Sequence, residues 1–304
     1  MHRRKFLKHL VCGLAAGWAG GRLFWPRWAE ATTPAISLAL LADPHLMDGN
    51  DRRAEALSLA RAVAEIKSHK PPPHLVLFAG DLAHDGNPDA LALGEEILSD
   101  LPMPVLAVRG EGDGRSAKGQ AGWRLFSQGR FVHDCDGINL LGLDTGWQDT
   151  PAGPGFTLGE TQHRWLARVL SGLDPAKPLV ILSHAPLTPI FRPWGQWTVD
   201  SGPLIDRLSQ FHQVHCCHGH VHHGGWSAGA GLGVENFGHG RILKAANRQP
   251  LSHLALPATS WPLPHPLKGT PRKLRPGLGP RGCGWALLNT GGQSCKLKQI
   301  FWEA

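Results

Sequence analysis

Short apolar runs alternate along this chain with longer segments of helical periodicity, and that alternation most constrains its fold. Five apolar runs are too short for helices and predict buried strands: residues 36–42, 74–79, 105–108, 138–143 and 179–182. Three longer segments space their apolar side chains three or four residues apart and predict amphipathic helices: residues 51–68, 89–98 and 159–170. Strands and helices in alternation predict an α/β domain with largely buried sheets.

The end of the chain contains two further short runs that predict strands, residues 285–288 and 296–301. The Pro- and Gly-rich residues 262–282 before them predict a long irregular loop.

The first 31 residues have the pattern of an export signal. Arg3-Arg4 precede a weakly apolar stretch over residues 10–21, and Ala29-Glu30-Ala31 matches a small-residue cleavage site. This order predicts a twin-arginine signal over 1–31 and a mature domain over 32–304, with the twin-arginine translocase as a partner during export and the periplasm as destination. Because the stretch is shorter than the ~18 residues of a membrane span, no transmembrane anchor is expected. A basic helix belonging to the fold is the alternative.

Net charge gives little support for a nucleic-acid partner. The chain carries a formal charge of +7, but the first 31 residues hold six Lys and Arg against one acid, so the remainder is close to neutral. We therefore expect no stable nucleic-acid partner. Residues 236–302 contain ten Lys and Arg and no Asp or Glu, which is either an ordinary solvated surface or a face for an anionic substrate, lipid or polymer.

Five cysteines follow the predicted signal: Cys135, Cys216, Cys217, Cys283 and Cys295. An oxidising compartment permits disulfides, and an odd number leaves at least one thiol free. Pairing of Cys283 with Cys295 is one possibility.

Acidic and imidazole side chains recur where the predicted strands end. The five motifs are Asp43-Pro44-His45, Gly80-Asp81, Gly110-Glu111-Gly112-Asp113, His184 and Gly219-His220-Val221-His222. Because sites in α/β sheets form at the carboxyl ends of strands, we expect these groups to converge. Carboxylates and imidazoles without thiolates suit Fe, Mn or Zn in an open catalytic site. A carboxylate such as Asp81 can bridge two cations.

In order and spacing, the five motifs resemble those of the calcineurin-like metallophosphoesterases. Within that family they are most similar to the bacterial branch of cyclic-nucleotide phosphodiesterase-like enzymes related to purple acid phosphatases. The resemblance implies a four-layer α/β fold, in which two mixed sheets are flanked by helices, and a site for two divalent or mixed-valence metal ions. It also implies hydrolysis of a small phosphomonoester or phosphodiester, with nucleotide-like molecules among the candidate substrates, by attack of a metal-bridging hydroxide.

The same resemblance implies a division of the ligands. Asp81 would bridge the metals, one of which would be held by Asp43, His45 and His222, and the other by Glu111, His184 and His220.

The sequence departs from the family where Glu111-Gly112 replaces the usual Asn-His. Glu111 can still coordinate through oxygen, but its charge should make a bound hydroxide less acidic and the site less favourable for phosphate. Gly112 cannot replace an imidazole that assists the leaving group, and such assistance is typically worth about 10²–10⁴-fold. The alternative function is therefore a degenerate family member that binds metal or a phosphorylated ligand with little or no turnover.

Three residues near these motifs are candidate catalytic groups: His84, Arg109 and Asp113. His84 follows Asp81 by three residues and can supply a proton, add a ligand or simply be solvated. Arg109, like Arg115, can clamp phosphate oxygens through its forked donors or form an ordinary ion pair. Asp113 is the last residue of the motif that contains Glu111-Gly112.

Other aromatic and imidazole residues carry weaker predictions. Trp194 and Trp197 follow His184 in a Pro- and Gly-rich stretch and either stack on a base or sugar or pack locally. Three histidines are expected to support the site or lie on the surface: His215, His218 and His223.

Overall fold

The computed structural model describes residues 36–114, 129–135, 137–151, 153–189, 196–222, 251–260, 282–291 and 294–302. Several predictions fall outside these residues: the export signal, Arg115, Trp194, His223 and all but the last residue of an irregular loop expected over residues 262–282.

The first sheet has five strands in the order β12-β11-β1-β2-β3. Its strands are β1 (Ile36–Leu41), β2 (Leu75–Phe78), β3 (Val105–Ala107), β11 (Gly284–Gly291) and β12 (Ser294–Phe301). β1, β2 and β3 run parallel, whereas β11 is antiparallel to both β1 and β12. The sheet is therefore mixed.

The second sheet also has five strands, in the order β10-β9-β8-β5-β4. Its strands are β4 (Phe131–Cys135), β5 (Ile138–Leu143), β8 (Leu179–Ser183), β9 (Val214–His218) and β10 (Leu251–Ala255). All neighbours are parallel except β4, which is antiparallel to β5. A separate antiparallel hairpin consists of β6 (Gly146–Thr150) and β7 (Gly153–Thr157).

Four described helices cover the outer faces of the two sheets: α1 (Ala54–Ser68), α2 (Pro88–Ser99), α3 (Gly159–Ser171) and α4 (Gly202–Leu208). α1 and α2 bury their apolar faces against the first sheet, where Leu59 and Leu91 pack with Phe78. α3 and α4 cover the second sheet, where Leu166 and Leu204 pack with other buried aliphatic side chains. This burial of apolar area is the main force that holds the layers together.

A third apolar cluster lies between the sheets and joins them. It contains Leu38 and Leu40 of β1, Leu140 of β5, Leu182 of β8 and Cys217 of β9, all of which are fully or almost fully buried. Helices, sheet, sheet and helices thus form four layers, and the predicted fold is confirmed. No described helix is long and apolar enough to span a membrane.

Each of the seven strands and three helices given bounds from the sequence is present, with ends that differ by up to three residues. The sequence pattern gave no bounds for β4, β6, β7, β9, β10 or α4. β4 and β6 are largely exposed and therefore contain no apolar run, and α4 has only seven residues, which is too short for a helical period to be recognised.

The proposed Cys283–Cys295 disulfide is wrong. Cys283 precedes Gly284, which pairs with Phe301 at one end of the β11–β12 ladder, whereas Cys295 pairs with Thr290 near the other end. Because a strand advances about 3.4 Å per residue, the two sulfur atoms are much too far apart to bond. All five cysteines after the predicted signal are free thiols.

Candidate metal centre

Seven acidic and imidazole side chains converge where five parallel strands end. Asp43 and His45 follow β1, Asp81 follows β2, Glu111 follows β3, His184 follows β8, and His220 and His222 follow β9. The N–H of Asp43 donates to the carbonyl of Gly80 at 3.0 Å, which joins the loops after β1 and β2 of the first sheet. The N–H of His220 in turn donates to both carboxylate oxygens of Asp43, at 3.1 and 3.0 Å.

Five of these seven residues have a left-handed backbone conformation. Their φ angles are positive at Asp43 (54°), His45 (50°), Asp81 (53°), His220 (65°) and His222 (52°). Such angles cost of order 1–3 kcal/mol at a residue other than glycine and persist only where the surrounding structure enforces them. Among the described residues, every non-glycine residue with positive φ belongs to this cluster. The loops are therefore shaped to aim these side chains inward.

The first group of potential ligands consists of Asp43, His45 and His222. One nitrogen or oxygen atom of each lies within 4.8 Å of the others. Nε2 of His45 is 2.8 Å from Nε2 of His222, and Nε2 of His222 is 3.7 Å from Oδ1 of Asp43. All three residues are buried.

The second group consists of Glu111, His184 and His220. Oε2 of Glu111 lies 2.6 Å from Nε2 of His184, and Oε1 of Glu111 lies 3.2 Å from Nδ1 of His220. Both atoms of the first contact are buried, and neither has a partner in hydrogen-bond geometry. The other nitrogen of His184 is paired with the carbonyl of Ala79 at 2.7 Å, which fixes the ring orientation.

Asp81 lies between the two groups. Its Oδ2 is 3.4 Å from Nε2 of His45 and 3.6 Å from Nε2 of His184, so one oxygen atom faces both. Its Oδ1 accepts the N–H of Gly112 at 2.7 Å. This is the position from which a carboxylate can bridge two cations.

Burial and mutual charge set the protonation of the cluster. Burial favours a raised pKa at Glu111, but the neighbouring His184 and His220 hold it well below its ordinary value. Burial favours a lowered pKa at His184, but Asp81 and Glu111 raise it well above its ordinary value. Burial raises the pKa of Asp81, and burial together with His222 lowers the pKa of His45. Opposite charges are therefore concentrated around Glu111 and His184.

The arrangement fits metal ions. Its donors are carboxylate oxygens and imidazole nitrogens, which suit Fe, Mn or Zn. The buried atoms Oε2 of Glu111 and Nε2 of His184 face each other without a hydrogen bond, as expected of two ligands that share a cation. The two groups match the division that the family resemblance implies, although the ligand role of each residue stays a prediction.

The three candidate catalytic residues lie around the cluster. Nδ1 of His84 is 3.3 Å from Nδ1 of His45, so His84 contacts the ring nitrogen that does not face His222. The guanidinium of Arg109 forms an ion pair with Asp144. Asp113 accepts the N–H groups of Ala83 and Gly110 at 2.9 Å each, which fixes the loop that carries Glu111. Their catalytic roles stay predictions.

The structure provides no space for a side chain at Gly112. A Cβ atom there would lie 2.5 Å from the carbonyl oxygen of Ala83 and 2.8 Å from that of His84, and real Cβ atoms essentially never approach so closely. The loop after β3 therefore packs directly on the loop after β2. An imidazole at this position would require the backbone to move.

Two neighbours of His220 were not anticipated. The side-chain oxygen of Gln196 accepts a hydrogen bond from Nε2 of His220, which directs Nδ1 toward Glu111. The ring of Phe156, on β7, lies edge-on to His220 at 4.7 Å and is buried. Neither residue belongs to a metal-ligand motif, and only the tertiary fold brings them to the site.

Three other predicted residues, Trp197, His215 and His218, belong to neither group of potential ligands. Trp197 is half-buried. His215 contacts the hydroxyl of Ser252 at 2.6 Å through Nδ1. His218 is fully buried, and burial lowers its pKa to about 3, so it is a neutral residue of the interior and not of the surface.

Comparison with known proteins identifies the family. The model of the calcineurin-like phosphoesterase family matches residues 36–224, which is more than half of the chain, and the chain belongs to this family.

Two curated relatives carry the name probable cyclic nucleotide phosphodiesterase. The relative from Rhodococcus erythropolis is 27% identical over 179 residues, covering 53% of this chain and 56% of its own length. The relative from Synechococcus is 28% identical over 154 residues, covering 50% of this chain and 59% of its own length. The chain thus spans little more than half the length of these relatives.

Two solved structures share the fold. A purple acid phosphatase from yellow lupin superimposes with a TM-score of 0.58 at 11% identity, covering 89% of this chain and 53% of the lupin chain. A dimetal phosphatase from Danio rerio superimposes with a TM-score of 0.54 at 15% identity, covering 87% of this chain and 98% of the fish protein.

Proposed function

We propose that this protein is an exported, metal-dependent phosphoesterase that hydrolyses a small phosphomonoester or phosphodiester. The observation that carries the proposal is the position of Asp81, one oxygen of which faces both His45 of the first group and His184 of the second. The names of the two curated relatives support a cyclic nucleotide or a similar diester as substrate.

Each group of potential ligands would hold one cation, and Asp81 would contact both. Bound cations would polarise the phosphoryl oxygens and lower the pKa of the attacking water. Hydrogen bonds within the chain hold His220 in position: Asp43 fixes its loop, and Gln196 fixes its ring. Phe156 covers one side of that ring.

The proposal is tested with Asp81→Asn and the matched control Asp134→Asn. Asp134 is an exposed acid on β4 that pairs with Lys177, away from the cluster. Hydrolysis of bis-p-nitrophenyl phosphate is measured with Mn, Fe or Zn added, and bound metal is counted by elemental analysis. We expect Asp81→Asn to lose activity and metal while the control retains both. Activity that is indifferent to chelation, or unchanged in Asp81→Asn, would refute the proposed mechanism.

The observations at residues 111 and 112 favour a second candidate, a protein that binds metal or a phosphorylated ligand without turnover. Glu111 adds a carboxylate with a buried Oε2 to a site that must accept an anion, and Gly112 leaves no room for an imidazole. This candidate predicts stoichiometric metal but no hydrolysis of a broad phosphoester panel. Glu111→Asn should then create activity if charge alone is the obstacle, and a parent enzyme more active than that variant would exclude the candidate.

Export by the twin-arginine route is proposed from Arg3-Arg4 and the Ala29-Glu30-Ala31 cleavage pattern. The test is Arg3→Lys combined with Arg4→Lys, followed by fractionation of the cells. We expect the parent chain in the periplasm, shortened by about 31 residues, and the variant retained in the cytoplasm at full length. Equal amounts of both in the periplasm would contradict this route.

A further inference from the structure

We infer that Trp147, on the β6–β7 hairpin, forms a stacking site for the nucleobase of a nucleotide substrate. Trp147 is 48% exposed, which is unusual for so large an aromatic side chain. The inference rests on the proposed phosphoesterase function, because it concerns the substrate of the same site.

The strand register turns Trp147 toward the metal centre. Trp147 on β6 is directly opposite Phe156 on β7, and side chains opposite each other in an antiparallel pair share one face. The ring of Phe156 contacts His220 at 4.7 Å and approaches His184 at 6.4 Å. The face of the hairpin that carries Trp147 is therefore the face turned to the second group of potential ligands.

The three rings form a continuous path from the cluster to solvent. Trp147 packs against Phe156 at 4.8 Å with an interplanar angle of 77°, and Phe156 packs against His220 with an angle of 71°. Phe156 is buried, whereas Trp147 at the outer end remains half accessible. Two ring contacts thus separate a potential metal ligand from an exposed indole.

This geometry suits a molecule with a phosphate at one end and a flat aromatic ring at the other. A phosphoryl group at the cluster would leave the rest of the molecule to extend along the hairpin, where the indole offers a π surface to a base. Stacking of an aromatic side chain on a base is worth about tenfold or more in affinity. A nucleotide has both a phosphate and a flat aromatic base.

Phe156 also ties the hairpin to its surroundings. The carbonyl of Phe156 accepts the N–H of Val199 at 2.9 Å, so the base of the hairpin is fixed next to the loop that carries Gln196. The position of Trp147 relative to His220 is consequently set by the fold.

The kinetic test compares a nucleotide with a diester that has no aromatic ring. Hydrolysis of 3′,5′-cyclic AMP and of glycerophosphocholine is measured for the full-length protein, Trp147→Ala, Trp147→Phe and the control Leu57→Ala. Leu57 is an exposed apolar side chain on α1, on the outer side of the first sheet. We expect Trp147→Ala to lower the ratio of kcat/KM for the nucleotide over the glycerol diester by about tenfold or more, and Trp147→Phe to restore most of it. An equal loss on both substrates, or no loss, would overturn the inference.

A binding test separates this inference from the proposed function. Saturation-transfer NMR with adenosine and, as a comparator, ribose 5-phosphate requires no hydrolysis. We expect transfer to the adenine protons in the wild-type protein and in Trp147→Phe, and its loss in Trp147→Ala. If the protein hydrolyses no phosphoester but shows this pattern, the phosphoesterase proposal fails while the stacking site stands. Adenine signals that persist unchanged in Trp147→Ala would overturn the stacking site whatever the activity.

Discussion

Oε2 of Glu111 lies 2.6 Å from Nε2 of His184, and neither buried atom has a hydrogen-bond partner. The family resemblance places a neutral asparagine where this chain has Glu111. The structure shows that the carboxylate still reaches both imidazoles of the second group, since its other oxygen lies 3.2 Å from His220. The replacement therefore keeps an oxygen donor at this position and changes the charge of the site.

Removing the Glu111 carboxylate should weaken metal binding at the second group. In Glu111→Ala we expect the affinity for the metal ion at the second group to fall at least about tenfold. Loss of a residue that only supports a ligand typically costs 10–100-fold in metal affinity, and this variant loses a direct donor. Isothermal titration of the chelated protein with Mn or Zn measures the change. Glu160→Gln is the control, because Glu160 is 79% exposed on α3. Identical titrations for Glu111→Ala and the parent would show that Glu111 is no ligand.

Gln196 should act on metal binding through His220. Gln196→Leu removes the acceptor of Nε2 of His220, so the ring loses its fixed tautomer, and we expect metal affinity at the second group to fall about 10–100-fold. Gln196→Glu keeps an acceptor oxygen and should retain most of the affinity. The same titration measures both variants, and equal behaviour of the two would contradict this role.

The loops after β2 and β3 lie so close together that a side chain at residue 112 should destabilise the protein. Gly112→Ala places a Cβ atom 2.5 Å from the carbonyl oxygen of Ala83, and the resulting shift should destabilise the protein by about 1–3 kcal/mol. Gly114→Ala, two residues away, meets no atom within 4 Å and should change stability by less than about 0.5 kcal/mol. Urea unfolding measures the free energies, and equal values for the two variants would contradict the packing of these loops.

Glu65 of α1 should make stability depend on pH. Oε2 of Glu65 accepts the indole N–H groups of the buried Trp285 and Trp302 at 2.8 and 2.9 Å. Burial acts to raise its pKa, but the hydrogen bonds from Trp302, Arg61 and Trp285 outweigh burial and lower the pKa below its ordinary 4.5. Because the folded-state pKa is the lower one, the stabilisation is complete above the ordinary value and disappears as the pH falls through the lowered one.

Glu65→Gln should therefore be less stable than the parent at pH 7, with a difference that shrinks as the pH falls below 4.5. Thermal unfolding across this range measures it, with Glu160→Gln as the exposed control. A difference that grows toward low pH would show that the hydrogen bonds do not stabilise the ionised form.

The residues near the strand ends illustrate what could be predicted from the sequence. Asp43 and Asp81 each follow a short apolar run. Such a run indicates a buried strand, and an amphipathic segment between two runs indicates a helix that covers the sheet, so both kinds of element could be predicted from the order of apolar and polar residues. Since parallel strands end at the same edge of a sheet, the convergence of the potential ligands could be predicted from their positions in the sequence. The chemical character of the site was therefore predictable before its geometry.

Other features depend on contacts between residues far apart in sequence. Gln196, before α4, contacts His220 after β9, and Phe156 of β7 contacts the same ring, although neither residue belongs to a metal-ligand motif. The exposed strand β6 likewise shows no apolar run, because neither of its faces is fully buried.

The sequence by itself determined the layered α/β fold and the acidic and imidazole set at the strand ends, because burial and ligand chemistry are properties of residue types in order. Only the tertiary structure decided that Asp81 stands between two groups, that Gly112 has no room for a side chain, and that an exposed indole lies beside the site. These depend on distances of a few ångströms between separate segments of the chain, and such distances are set only when the strands, loops and layers pack together.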